Sequence, residues 1–171
     1  MIRSLSFTYL FVILAVGYLG GALLFREMPL VSVEKMLVLF DARVVEGHGA
    51  NFLRPLLMNA VFFLFAFGLS LVKKLRFIVT FIGALKCVIF GLSTGYLLST
   101  GMKLVEYSIW WFPFQLAICF LLLLFCAILK PPFFVRTVGH KKRNDKALLF
   151  LLGLSILIIA LEYAIFYYIF N

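Results

Sequence analysis

Charge is scarce in this sequence. Asp, Glu, Lys and Arg make up 13% of 171 residues, about half the share of an ordinary soluble domain. Cysteine is scarce too, with Cys87, Cys119 and Cys126 all inside apolar runs. No CxxC and no Cys/His pair at metal spacing occurs, so a disulfide scaffold and a structural zinc site are both excluded. Cys119 and Cys126 share a helix face and read as small buried hydrophobes. There is no HExxH for a zinc hydrolase, no GxSxG elbow and no Walker A loop. The chain therefore hydrolyses no nucleotide itself. Only two histidines occur, His48 and His140.

What fills the sequence is hydrocarbon. Hydrophobic residues reach 65%, with 21 Phe, and the mean hydropathy is +1.14. A chain of this length leaves much of its surface exposed and has too little polar surface to cover it. The composition excludes disorder and implies an all-α integral membrane protein in a lipid bilayer. The net charge of +9 then reports topology, and no nucleic-acid partner.

A membrane helix needs about 20 mostly apolar residues. Five stretches qualify: 4–25, 55–72, 77–98, 108–129 and 147–170. The first lacks charge and a clean small-x-small cleavage site, so it reads as a retained span rather than a signal peptide. The sequence closes one residue after the fifth, so no soluble domain is expected to follow. The spans are expected to form one membrane domain.

Ten Lys/Arg fall on the N-terminal side of the membrane: Arg3, Lys73, Lys74, Arg76, Lys130, Arg136, Lys141, Lys142, Arg143 and Lys146. Five fall on the other: Arg26, Lys35, Arg43, Arg54 and Lys103. The positive-inside rule places the N-terminus in the cytoplasm and the C-terminus outside. The histidines then lie on opposite sides. Asp41, Glu46 and His48 share the outer face, where an acid/base site competes with plain solvation.

Between spans 1 and 2, Val33, Met36, Leu37, Phe40 and Val44 recur at helical spacing, with Glu34, Lys35, Asp41, Arg43 and Glu46 off that stripe. The pattern predicts an amphipathic interfacial helix over 30–46, ended by Gly47-His48-Gly49. It either connects two spans or docks a partner. Pro131-Pro132 stops span 4, and the basic run 141–143 reads as a topology determinant that meets anionic lipid, or as a docking site for a cytoplasmic partner. Pro113 should bend or start span 4, with Trp110 and Trp111 beside it as an interfacial belt.

Gly17 and Gly21 in span 1, and Gly91 and Gly95 in span 3, lie four apart. Such spacing lets helix backbones approach closely, within the chain or in a dimer. Lys86 and Glu162 are the two charges inside spans, where each costs about 2.5–3.5 kcal/mol at mid-bilayer. At 1.5 Å per residue they lie roughly 14 and 22 Å from the cytoplasmic ends of their helices. That difference is within the reach of the two side chains together. They form the candidate intramembrane polar site. Lys86 either pairs with Glu162, meets a polar cavity or partner, or snorkels.

The residues of spans 2 and 3 carry a resemblance. Phe67-Gly68-Leu69-Ser70-Leu71 is followed by a helix containing the run Lys86-Cys87-Val88-Ile89-Phe90-Gly91-Leu92-Ser93-Thr94-Gly95-Tyr96. This resembles the stage II sporulation protein M family, in which a G-x-S-like run precedes a K-G-x-x-x-G-F-x-x-G-like run. In pattern the likeness covers nearly the whole chain, and in detail residues 67–96. The resemblance implies a compact five-span subunit like those in circular bacteriocin gene clusters. Such a subunit would serve maturation, export or immunity by binding an apolar peptide or scaffolding other membrane subunits, among them a separate ABC-type ATPase. The sporulation branch implies recruitment of peptidoglycan-degrading partners during engulfment. An intramembrane peptidase or cyclase is the enzyme alternative. No catalytic residue, metal or cofactor carries over.

Overall fold

The computed structural model describes residues 2–46, 53–72, 75, 78–129 and 145–170, and the side chains among them except those at 2–6, 46, 169 and 170. The segment 47–50, with His48, the basic residues 73, 74 and 76, and most of the 130–146 loop, with His140, lie outside the described residues.

The chain is an all-α, multi-pass membrane protein. Its helices are α1 (Ile2–Glu27), α2 (Leu30–Phe40), α3 (Arg43–Glu46), α4 (Leu53–Leu71), α5 (Val79–Ser99), α6 (Leu104–Glu106), α7 (Phe112–Leu129) and α8 (Asp145–Phe170). Five stretches are long and apolar enough to cross a bilayer, given by α1, α4, α5, the continuous run Leu104–Leu129, and α8. Each coincides with an expected span to within a few residues, because an uninterrupted apolar run in lipid must satisfy its backbone as a helix.

α5 is the central helix, the most buried of the five. It packs most extensively on α1 and also touches α7 and α4. The α1–α5 seam is built on glycine. A Cβ at Gly21 would run into the backbone of Val88, and one at Gly91 into the carbonyl of Tyr18. Gly17 faces Cys87, and Gly95 faces the Phe25 ring. The two helices run parallel, and their backbones touch where side chains would normally separate them. Without water to expel, this contact is dispersion between close-packed chains. Gly20, one residue from Gly21, faces open space, so the seam uses one helical face only.

Two apolar clusters complete the interior. One joins Leu10, Leu14, Cys87, Phe90, Trp110 and Cys119 near α1, α5 and α7. The other joins Phe62, Phe63, Ala66, Val79, Leu122 and Leu148 near α4, α5, α7 and α8. All three cysteines are buried and free.

The predicted 30–46 helix is two pieces. Pro29 lies between α1 and α2, and α2 ends at Asp41, whose backbone is extended at φ −155° and ψ 98°. The break has a local cause. Asp41 Oδ1 accepts a hydrogen bond from the Arg43 backbone N–H at 3.1 Å, so the side chain competes with the helix for main-chain donors. Val33 and Leu37 are buried as the apolar stripe requires, whereas Met36 is exposed. The larger departure concerns Asp41 and Arg43, which the stripe places on the polar side and which the fold buries.

The fourth span also carries a correction. It begins near Leu104, ahead of the expected 108, and passes through a π-helical turn at Tyr107–Trp111. There the Phe112 N–H reaches back to the Tyr107 carbonyl. Pro113 follows this turn inside the continuous helical run, and the wider turn accommodates the backbone bond that a proline cannot make. The wider turn carries Trp110 and Trp111 into the interior, 1% and 2% exposed. They are core residues, and the interfacial belt expected of them does not form.

Candidate functional site

A charged cluster sits where α2 and α3 meet the ends of α7 and α8. Sequence logic starts with Asp41. Its carboxylate takes Arg43 in a two-pronged contact, with Arg43 Nε to Oδ1 at 2.9 Å and Nη2 to Oδ2 at 2.6 Å. The fork geometry of guanidinium and carboxylate favours this pairing. The same Nη2 donates to Glu162 Oε1 on α8 at 3.0 Å. Gln115 on α7 donates its Nε2 to that Oε1, also at 3.0 Å. The Arg43 guanidinium carbon lies 5.8 Å from the ring centres of Trp110 and Phe166, so two aromatic faces add a cation–π contribution.

The cluster is dry. Glu162 is 0% exposed and Arg43 2%. Burial alone would lower the pKa of the Arg43 guanidinium, but the carboxylates of Glu162 and Asp41 outweigh it and raise the value above the ordinary one. Arg43 therefore stays charged. Two buried polar atoms of the cluster, Arg43 Nη1 and Glu162 Oε2, have no hydrogen-bond partner. One is a donor and the other an acceptor, so a polar group entering here meets both kinds of site.

The sequence-predicted site residues fall as follows. Glu162 is at the centre of the cluster. Lys86 is buried on α5 but joins no ion pair among the described residues, and the direct Lys86–Glu162 bridge is not formed. The Lys86 Nζ instead lies 5.6 Å from the centre of the Phe62 ring on α4. In place of the two-helix charge pair, one of the three alternatives for Lys86, Glu162 bridges to the α2–α3 bend. Asp41 is part of that bridge, and so is no member of an exposed acid/base site with Glu46 and His48.

Arg43 and Gln115 are the residues that sequence reasoning missed, and Asp41 entered it only as part of an outer acid/base site. A signal existed: Asp-x-Arg two residues apart inside an apolar stretch forms an Asx turn more readily than helix. A charge in α8 also demands a partner from somewhere.

A second polar chain runs nearby through hydroxyl groups. Thr94 Oγ1 donates to the Phe90 carbonyl at 3.0 Å and lies 3.1 Å from the Tyr107 hydroxyl. That hydroxyl is 3.4 Å from the Tyr18 hydroxyl. It ties α1, α5 and the π-turn together. Toward α2, the Tyr96 hydroxyl donates to Glu34 Oε1 at 3.2 Å.

These contacts suit positioning. The charged side chains hold α2–α3 against the bundle end, with one guanidinium shared between two carboxylates. Among the described residues no three His, Cys, Asp or Glu side chains converge into a group able to hold a metal. No protein-family model, no curated protein and no solved structure matches the chain.

Proposed function

We propose that this chain is a non-catalytic integral membrane subunit of a complex for maturation, export or immunity of a circular bacteriocin. In this reading it lies in a bacterial cell membrane with its N-terminus in the cytoplasm and its C-terminus outside, as the Lys/Arg distribution favours. It works by scaffolding partner subunits and binding an apolar peptide, while a separate ABC-type ATPase supplies energy on the basic side.

The observation that carries this reading is the seating of α2. Its inner side is locked by Val33 and Leu37, and its end is bolted to α8 through Arg43 and Glu162. Its outer side nonetheless carries Leu30, Val31, Met36 and Leu39, all exposed. A helix that is apolar on both sides, and held rigidly on one, is a ready surface for an apolar partner. The likeness of residues 67–96 to the stage II sporulation protein M family supports the choice of partner. Binding through a fixed helix loses little conformational entropy, which favours a preformed site.

The test is site-directed photo-crosslinking in cells that make the cyclised peptide. A photoreactive residue at Val31 or Leu39 is expected to capture the peptide or a partner subunit, and one at Leu19 on the exposed side of α1 is not. Equal capture at Leu19, or none at 31 and 39, would overturn the reading. Orientation is checked separately by cysteine labelling: Lys142→Cys should react only after the membrane is opened.

A further inference from the structure

Where α2 lies against the start of α4, the surface holds a recess of about 280 Å³. Val38, Leu39, Leu57 and Met58 line it together with two cations, Lys35 of α2 and Arg54 of α4. No carboxylate lines it among the described residues. Neither cation joins an ion pair among those residues. Arg54 is tethered, because its Nη1 donates to the Val38 carbonyl near the end of α2 at 3.3 Å. The acids of this segment are engaged elsewhere: Glu34 accepts from the Tyr96 hydroxyl, and Asp41 is taken by Arg43. Other cations at the helix ends differ. Arg26 shares its recess with Glu27, and Lys103 lies 3.5 Å from Glu106.

Arg54 is the second residue of a membrane-spanning helix, Leu53–Leu71, so the recess sits at headgroup level. Below it, Leu57, Val61, Leu64 and Gly68 follow one another at helical spacing on the exposed face of α4. The last three also line a second recess, of about 310 Å³. A Cβ at Gly68 would meet nothing within 4 Å, so the glycine leaves a notch in that face. Residues 57 to 68 span about 16 Å at 1.5 Å per residue, close to half of a hydrocarbon core of roughly 30 Å. A cationic recess at headgroup level, continued by an apolar strip one leaflet long, is complementary to an anionic amphiphile. We propose that α2 and α4 hold an anionic phospholipid, with its phosphate between Lys35 and Arg54 and one acyl chain along residues 57–68 of α4.

The strip positions the chain, and the cations select the headgroup. A basic side chain near anionic lipid contributes on the order of 1 kcal/mol, which is roughly fivefold in relative affinity. Two of them without a competing carboxylate give roughly twentyfold preference for an anionic over a zwitterionic lipid. The tether on Arg54 lowers the ordering cost of binding. The recess adjoins the α2 face proposed for a peptide and shares Leu39 with it, but the lipid site needs no peptide.

The experiment uses the full chain without peptide, purified and returned to phosphatidylcholine nanodiscs, so its failure leaves the peptide reading standing. A trace of phosphatidylglycerol or phosphatidylcholine carries a diazirine on its acyl chain, and mass spectrometry maps the crosslinks. Wild type should be labelled along 57–68 by phosphatidylglycerol roughly twentyfold more than by phosphatidylcholine. Lys35→Gln and Arg54→Gln should each lower that preference roughly fivefold. Both side chains are exposed, so folded yield should hold. Lys103→Gln should leave the preference unchanged. Gly68→Leu should reduce labelling of 61–69 by filling the notch, and it meets no neighbour that would disturb the fold. Equal labelling by the two lipids, labelling spread evenly over the exposed helix faces, or an equal loss with Lys103→Gln and Lys35→Gln would overturn the proposal. Displacement of the lipid by inorganic phosphate would identify a free anion as the ligand and overturn it too.

Discussion

The α1–α5 seam and the α2–α8 junction hold the same bundle together by opposite means. In the seam, Gly21 and Gly91 remove every side-chain atom between two backbones. In the junction, Asp41, Arg43, Gln115 and Glu162 fill the space with charge. The seam gains dispersion energy from many weak contacts and tolerates no added atom. The junction depends on a few strong contacts and tolerates no subtracted one. Removing one partner of a buried ion pair leaves the other without compensation. Lipid cannot compete for either set of contacts, which is why both survive in a medium where apolar surfaces gain nothing by meeting.

The comparison can be broken most severely at the junction. Arg43→Leu strands Asp41 and Glu162 together and should cost about 3–5 kcal/mol of stability. Folded yield in detergent and denaturant titration would show it. Adding Glu162→Leu should restore part of the loss, because the stranded carboxylate in α8 is gone. No restoration would mean that Arg43 is held mainly by Asp41.

The seam comes next. Gly21→Ala and Gly91→Ala each push a methyl group into the backbone of the facing helix, and should cost about 3 kcal/mol, the upper end of ordinary overpacking. Gly20→Ala faces open space and should be neutral. Equal stabilities for the three variants would show that the seam has room to relax. The same series tests whether the four-residue spacing matters beyond its face.

Smaller effects sharpen the junction. Gln115→Leu removes a hydrogen bond to a charged acceptor and should cost roughly 1.5–3 kcal/mol. Thermal or denaturant midpoints of the purified variant would measure it.

Lys86→Met should have the smallest effect, about 1 kcal/mol, the scale of its contact with Phe62. Its double mutant with Glu162→Gln should be additive within about 0.5 kcal/mol, as expected of residues that share no direct contact. A larger coupling would mean that Lys86 and Glu162 do act as a pair.

The two regions were unequally legible before the fold was known. Gly17, Gly21, Gly91 and Gly95 announce a close helix approach by local spacing alone, since four residues bring side chains onto one face. Which helix each meets is not local, but two small-residue faces in one chain offer few choices. The junction gave one clear signal, that Glu162 in an apolar helix needs compensation. Its partner was sought among the other membrane charges, which pointed to Lys86. Arg43 was passed over because it lies off the apolar stripe of 30–46, and a charged residue off a stripe is usually solvated. That inference assumed an unbroken helix. The Asx turn at Asp41 interrupts the helix, and the Arg43 side chain then turns inward to Glu162. Trp110 and Trp111 were misplaced for a related reason. Their depth along the span suits an interfacial belt, but the π-turn and Pro113 rotate them into the core.

The sequence by itself determined that this chain crosses a membrane five times as helices. Long apolar runs have no other way to satisfy their backbone groups in hydrocarbon, and no tertiary contact is needed to enforce it. It also determined that one helical face would carry backbone contact, because glycine spacing is a property of a single helix. Only the tertiary structure decided what neutralises Glu162. Arg43 and Glu162 are 119 residues apart, and their meeting depends on where the α2–α3 bend falls, how α7 is rotated by its π-turn, and which helix α8 packs against. Each of these is a small local angle, and their product places a guanidinium within hydrogen-bond reach of a carboxylate or several ångströms away from it.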